Sequence, residues 1–150
     1  MQYQRQALVF KNDFLAAKIQ LAQDLLRLGQ EKEGWALAEN VHAQDGYDVT
    51  TYNLVTLKGT LGKYTTLTNA NFIVRMEPRE AVVYGPRALR LLERAHKTLC
   101  GKYGLELDRP VTVEIFADQN DFGVRTFGMP DNPGFLGVCF GCLVTANSPA

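Results

Sequence analysis

The sequence predicts an α+β fold, an N-terminal α-helical hairpin followed by a strand-helix-strand unit, and three observations carry that reading. Residues 15–29 (LAAKIQLAQDLLRLG) and 48–62 (DVTTYNLVTLKGTLG) read as helices that both end in Leu-Gly, at Leu28-Gly29 and Leu61-Gly62, 33 positions apart. Phe72, Val74 and Met76 alternate with Ile73 and Arg75, and Val111, Val113 and Ile115 alternate with Thr112, Glu114 and Phe116. That is the period of a strand, whose successive side chains point to opposite faces. Between the two, Ala81, Tyr84, Ala88, Leu91, Ala95 and Leu99 recur every three or four residues, which predicts one apolar helical stripe with Arg87, Arg90, Arg94 and Lys97 facing water.

In chain order, residues 1–12 read as the end of a helix, and residues 31–47 (EKEGWALAENVHAQDGY) as the second helix of the hairpin. Gly34, Leu37, Ala38 and Val41 place its packing face at three- and four-residue spacing. At 62–71 (GKYTTLTNAN) the helical period gives way to polar residues and threonines, so the boundary between a segment 1–66 and a segment 70–150 is expected there. In the long helix Gly85-Pro86 marks either a kink or the start of the regular part, and Gly104 suits its end. After the second strand, Asn120 or Asp121 can cap a short helix carrying Phe122 and Val124. Residues 130–134 (PDNPG) compose a turn, and a final strand or strand pair runs from about 136 to 145.

Sixteen Lys and Arg balance sixteen Asp and Glu, with no basic stripe interleaved with aromatics, so nucleic acid is not an expected partner. Cys100, Cys139 and Cys142 are too few for a secreted disulfide framework. The N-terminus has no charged region followed by an apolar one and does not read as a signal peptide, which leaves the compartment unassigned. Residues 132–150 are uncharged and near membrane-spanning length, but their Gly, Pro, Asn, Thr and Ser argue for sheet and turn, and no membrane span is expected.

The sharpest local motif is Cys139-Phe140-Gly141-Cys142. A structural zinc site needs four ligands, and Cys100, His42 and His96 do not supply a second pair. A redox pair wants a helix N-terminus, and none follows this one, so a buried structural role is expected unless Phe140-Gly141 turns the strand. His42 and His96 belong to no HExxH pair and read as structural or solvent-facing. Glu80 and Glu93 read as solvated helix charges, and Glu114 as the outward residue of a strand. Arg125, between Phe122, Val124 and Phe127, needs a partner if buried, with Asp118 or Asp121 the nearest candidates in sequence. Neither a glycine-rich phosphate loop nor a GxSxG elbow is present.

The helical half, with Ala22 and Gly34 at small positions and the 33-residue recurrence, resembles degenerate tetratricopeptide repeats. Residues 111–150 (VTVEIFADQNDFGVRTFGMPDNPGFLGVCFGCLVTANSPA), together with 72–104, resemble the front part of the peptidase MA-like, gluzincin-type zinc metallopeptidase domain in proteins that carry such repeats ahead of it. The resemblance implies a fragment: the family's next element is a helix bearing HExxH, and the sequence contains none. No catalytic residue and no metal ligand is therefore assigned, zinc is implied only for a full-length relative, and the chain alone is predicted inactive. What transfers is a substrate-facing edge strand made of Gly137, Val138, Cys139, Phe140, Gly141, Cys142, Leu143 and Val144, able to pair with an extended peptide or protein partner. Two other readings stay open: a small repeat-like interaction module, and a redox or metal module built on Cys139 and Cys142.

Overall fold

Helix α1 spans Gln2–Phe10, α2 Leu15–Arg27, α3 Glu31–Gln44 and α4 Val49–Leu61, in a computed structural model that describes residues 1–131 and 134–149. There follow β1 (Thr65–Thr68), β2 (Phe72–Met76), α5 (Pro78–Tyr103), β3 (Val111–Phe116), α6 (Gln119–Phe127), β4 (Gly137–Phe140) and β5 (Leu143–Asn147). The class is α+β, with the N-terminal helices ahead of the strands. Two of the residues in the predicted turn at 130–134 lie outside the described residues.

The helical layer is assembled by short-range chemistry. At the end of α2, Gly29 takes φ 73°, its N–H donates to the Leu26 carbonyl and the Gln30 N–H donates to that of Leu25. This Schellman closure turns the chain directly into α3. Helices α2 and α3 then approach closely at Gly34, where a Cβ would lie 2.8 Å from Leu26 Cγ. Asp48 caps α4 by accepting from Thr51 N at 2.7 Å and Thr51 Oγ1 at 2.8 Å. The second Leu-Gly of the 33-residue recurrence behaves differently, since Gly62 keeps a right-handed φ of −61°.

The strands form one mixed sheet in the order β1-β2-β3-β5-β4, parallel through its three central strands and antiparallel at both edges. Strand β1 corrects the reading of 62–71 as a mere break, because Thr65–Thr68 pairs with β2. The β2–β3 connection is the long helix α5. Glu77 caps it by accepting from Arg79 N and Glu80 N, and Gly104 ends it at φ 62°. Its helical assignment runs unbroken through Pro86. Proline removes the donor for the Val82 carbonyl, and Val82 is 81% exposed, so water can serve instead.

Each face of the sheet has its own cover. Register puts Glu114 beside Arg75 and Thr145 on one face, where Phe116 and Leu143 also lie, under the N-terminal helices and α6. There Ala22, Leu26, Trp35, Ala38, Leu54 and Leu57 share a core with Phe116, Phe122 and Val124, so elements on both sides of the predicted boundary bury one another. On the opposite face Phe72, Val74, Met76 and Val113 pack with Ala81, and Tyr84, Leu89 and Leu92 of α5 complete the cluster. The helix is thus rotated from the predicted stripe: Leu91 and Leu99 are 55% and 50% exposed. Gly85 is buried instead, its missing Cβ making room for Leu67 of β1.

Candidate functional site

The segment 137–144, expected as one edge strand, is a hairpin. Gly137, Val138, Cys139 and Phe140 form β4 at the sheet's edge, Gly141 and Cys142 form the turn, and Leu143 and Val144 belong to the interior strand β5. Gly141 has φ 67°, the requirement of the first central position of a two-residue II′ turn. Leu143 and Val144 are therefore hydrogen-bonded between β3 and β4 and do not reach the edge.

Backbone alternation then decides which groups the edge offers. The two-residue turn makes Phe140 and Leu143 a hydrogen-bonded pair, so Val138 with Thr145 is the next such pair, and Leu136 accepts from Asn147 N at 2.9 Å in the same phase. Gly137 and Cys139 fall between these pairs. Their N–H and C=O groups point away from β5 along the free edge, and both residues are exposed.

The strand's other side is anchored. Val138 packs on the helical core, and Arg27 of α2 lies 5.8 Å over the Phe140 ring while its Nε donates to the Thr126 carbonyl at 3.1 Å. Behind these contacts lies a buried ion network. Arg125 Nε donates to Glu114 Oε2 at 2.7 Å and its Nη1 to the Leu26 carbonyl at 3.2 Å. Arg75 Nη1 reaches Glu31 Oε1 at 2.5 Å and Glu114 Oε1 at 3.2 Å. Burial opposes the charge on Arg75, but its bonds to Glu31 and then Glu114 outweigh that and hold its pKa above the ordinary guanidinium value. The network ties α3, β2, β3 and α6 together.

Several sequence expectations change here. Glu114 is wholly buried and does not face water, because its face of β3 lies under the N-terminal helices and α6. Arg125 does form a buried salt bridge, with Glu114 and not with Asp118 or Asp121. Asp118, not Asn120 or Asp121, caps α6, accepting from Asn120 N at 2.6 Å. Burial, then the neighbouring Asp118 charge, pushes the Asp121 carboxyl above the ordinary carboxylate range. Glu93 is not merely solvated, since both of its oxygens accept from Asn71 Nδ2. His42 and His96 make ring contacts with Tyr52 and Phe72. The CxxC is not buried: Cys139 is exposed, Cys142 half-buried, and both are free thiols. Among the described residues no group of three or more His, Cys, Asp or Glu could hold a metal ion, and no helix is long and apolar enough to cross a membrane. No protein-family model, curated protein or solved structure matches the chain.

Proposed function

We propose that this chain is the peptide-holding part of a repeat-bearing, zinc-metallopeptidase-like protein, and that by itself it binds an extended peptide along β4 without cleaving it. The observation that carries the reading is the outward N–H and C=O of Gly137 and Cys139 on a strand whose other side is fixed to the helical layer. A peptide adding one strand there gains main-chain hydrogen bonds, and pockets for alternate side chains supply selectivity. Without an HExxH helix the sequence lacks the three ligands and base that a zinc-bound water requires. The alternative of a free-standing repeat module is less favoured, because the apolar face of α2 to α4 is occupied by Phe116, Phe122 and Val124.

Cys139→Pro tests the binding reading cleanly. It removes an outward N–H and no bond to β5, so the fold should persist while binding to extended peptides falls by at least about tenfold, the effect of losing one or two net hydrogen bonds. Titration of a peptide library, with hydrogen exchange read at Gly137 and Cys139, measures both. Unchanged affinity in the proline variant, or protection elsewhere in the chain, rejects the edge. Proteolysis by the purified chain that a chelator abolishes and zinc restores rejects the non-cleaving part.

A further inference from the structure

We propose that the half of the sheet left open beside α5 is a docking site for an amphipathic α-helix of a partner protein, apolar on one face and acidic along one flank. This does not rest on the peptide-edge reading, since it concerns the face of the sheet.

Helix α5 packs on β1 and β2, and the same face continues past it through Ile115 of β3, Val144 and Ala146 of β5 and Cys139 of β4. Along β5 the difference between the two faces is visible residue by residue. Leu143 and Thr145, under the helical layer, are buried, whereas Val144 and Ala146 stay partly exposed. A groove runs between α5 and this surface, lined by Met76, Tyr84, Ala88, Leu91, Ile115 and Pro149. Leu91 is thereby explained: it departs from the packing stripe of α5 and forms the wall of the groove.

Geometry selects a helix. From β3 to β4 is two strand spacings, about 10 Å, which matches the diameter of one helix laid beside α5 at about 8–10 Å between axes. An extended segment on this face would find β3 and β5 already hydrogen-bonded on both sides, leaving its own backbone unpaired. A helix brings its backbone bonds with it.

Charge selects the flank. Arg87 and Leu91 line the groove, and the same two residues with Arg90 and Arg94 line an adjoining depression on α5, all three arginines exposed. Among the described residues none of the three makes an ion pair, and no acidic residue lines either stretch. Acids on the incoming helix, one turn apart, would meet these arginines at the rim, where charge sets register and association rate.

The probe is an 18-residue helical peptide with a leucine stripe and a glutamate flank, compared with the same peptide bearing lysines. Calorimetry on the full chain should show binding for the glutamate peptide, weakening with salt, and at least about tenfold weaker binding for the lysine one. The reversal Arg87→Glu/Arg90→Glu/Arg94→Glu should invert that preference, and Leu91→Asp, an exposed position that cannot unfold the core, should abolish binding. NMR shifts should fall on Ile115 and Val144. Equal affinity for both peptides, indifference to the triple reversal, or shifts confined to other surfaces would overturn the proposal. So would self-association of the chain that Leu91→Asp abolishes, since it would assign the face to a second copy.

Discussion

Replacing Glu114 by Gln keeps the shape of the side chain and removes one buried charge. In the native protein its two oxygens face two guanidinium groups, Arg125 at 2.7 Å and Arg75 at 3.2 Å, and both Glu114 and Arg125 are sealed from solvent. Breaking a buried pair by neutralising one partner costs about 3–5 kcal/mol, because the other charge stays desolvated. Arg125 retains the Leu26 carbonyl at 3.2 Å and Glu31 at 3.9 Å, and Arg75 keeps Glu31. The loss should therefore sit at the low end, about 3 kcal/mol, or about 6–12 °C in melting temperature for a chain of this size. The double variant Glu114→Leu/Arg125→Met removes both charges at once and should fall within about 1 kcal/mol of the native protein. Urea denaturation of the two variants measures this. A Glu114→Gln cost under about 1 kcal/mol, or a double variant less stable than the single, would show that the charges are not desolvated as the geometry requires.

Two glycines inside helices should respond with opposite sign to alanine. Gly59 in α4 has open space around it, so Gly59→Ala should stabilise by about 0.5–1 kcal/mol, whereas Gly34→Ala in α3 forces a methyl onto the buried Leu26, whose Cγ and backbone N would lie 2.8 and 3.2 Å away, and should destabilise by about 1–2 kcal/mol in the same urea assay. Asp121 binds its proton more tightly folded than unfolded, so its contribution to stability falls as pH rises from the ordinary carboxylate value through the raised one. The stability of Asp121→Asn relative to the native protein should accordingly improve on going from about pH 3 to pH 7. A pH-independent difference between the two proteins would contradict the burial assigned to that carboxyl.

Where one face of an element decided burial, periodicity located it. The alternation at 72–76 matches the observed pattern, with Phe72, Val74 and Met76 all buried. At β3 the same alternation puts Glu114 on the right face, opposite Val113, but not its burial, because period alone cannot show that the helical layer covers the polar side. The partner of Arg125 was hidden for a related reason: Glu114 is reached through sheet register and helix placement, whereas Asp118 and Asp121 are near only in sequence. Strand β1 escaped notice since TTLT holds a single large apolar side chain, and its pairing depends on β2 lying beside it. In α5, Leu91 and Leu92 compete for one packing face. The sheet took Leu92, a choice that a helical period of 3.6 leaves open.

The two faces of β4 explain why the edge and the open surface occur together. Its helix-side residues, Val138 and Phe140, are held by the core and by Arg27, so the strand keeps its register without a neighbour beyond it. Its other residues, Gly137 and Cys139, are exposed, and among the described residues no strand pairs with β4 on the side away from β5. A strand fixed on one side and free on the other two is pre-ordered for a partner, since the conformational entropy of ordering it is already met by folding. The buried network serves the same end one layer deeper: Arg125 and Glu114 lock α6 and β3 to the helices, and α6 carries the Thr126 hydroxyl that lies 2.9 Å from that of Thr145 on β5. Loosening that lock should thus weaken peptide capture at β4 through register, even though no residue of the network reaches the edge.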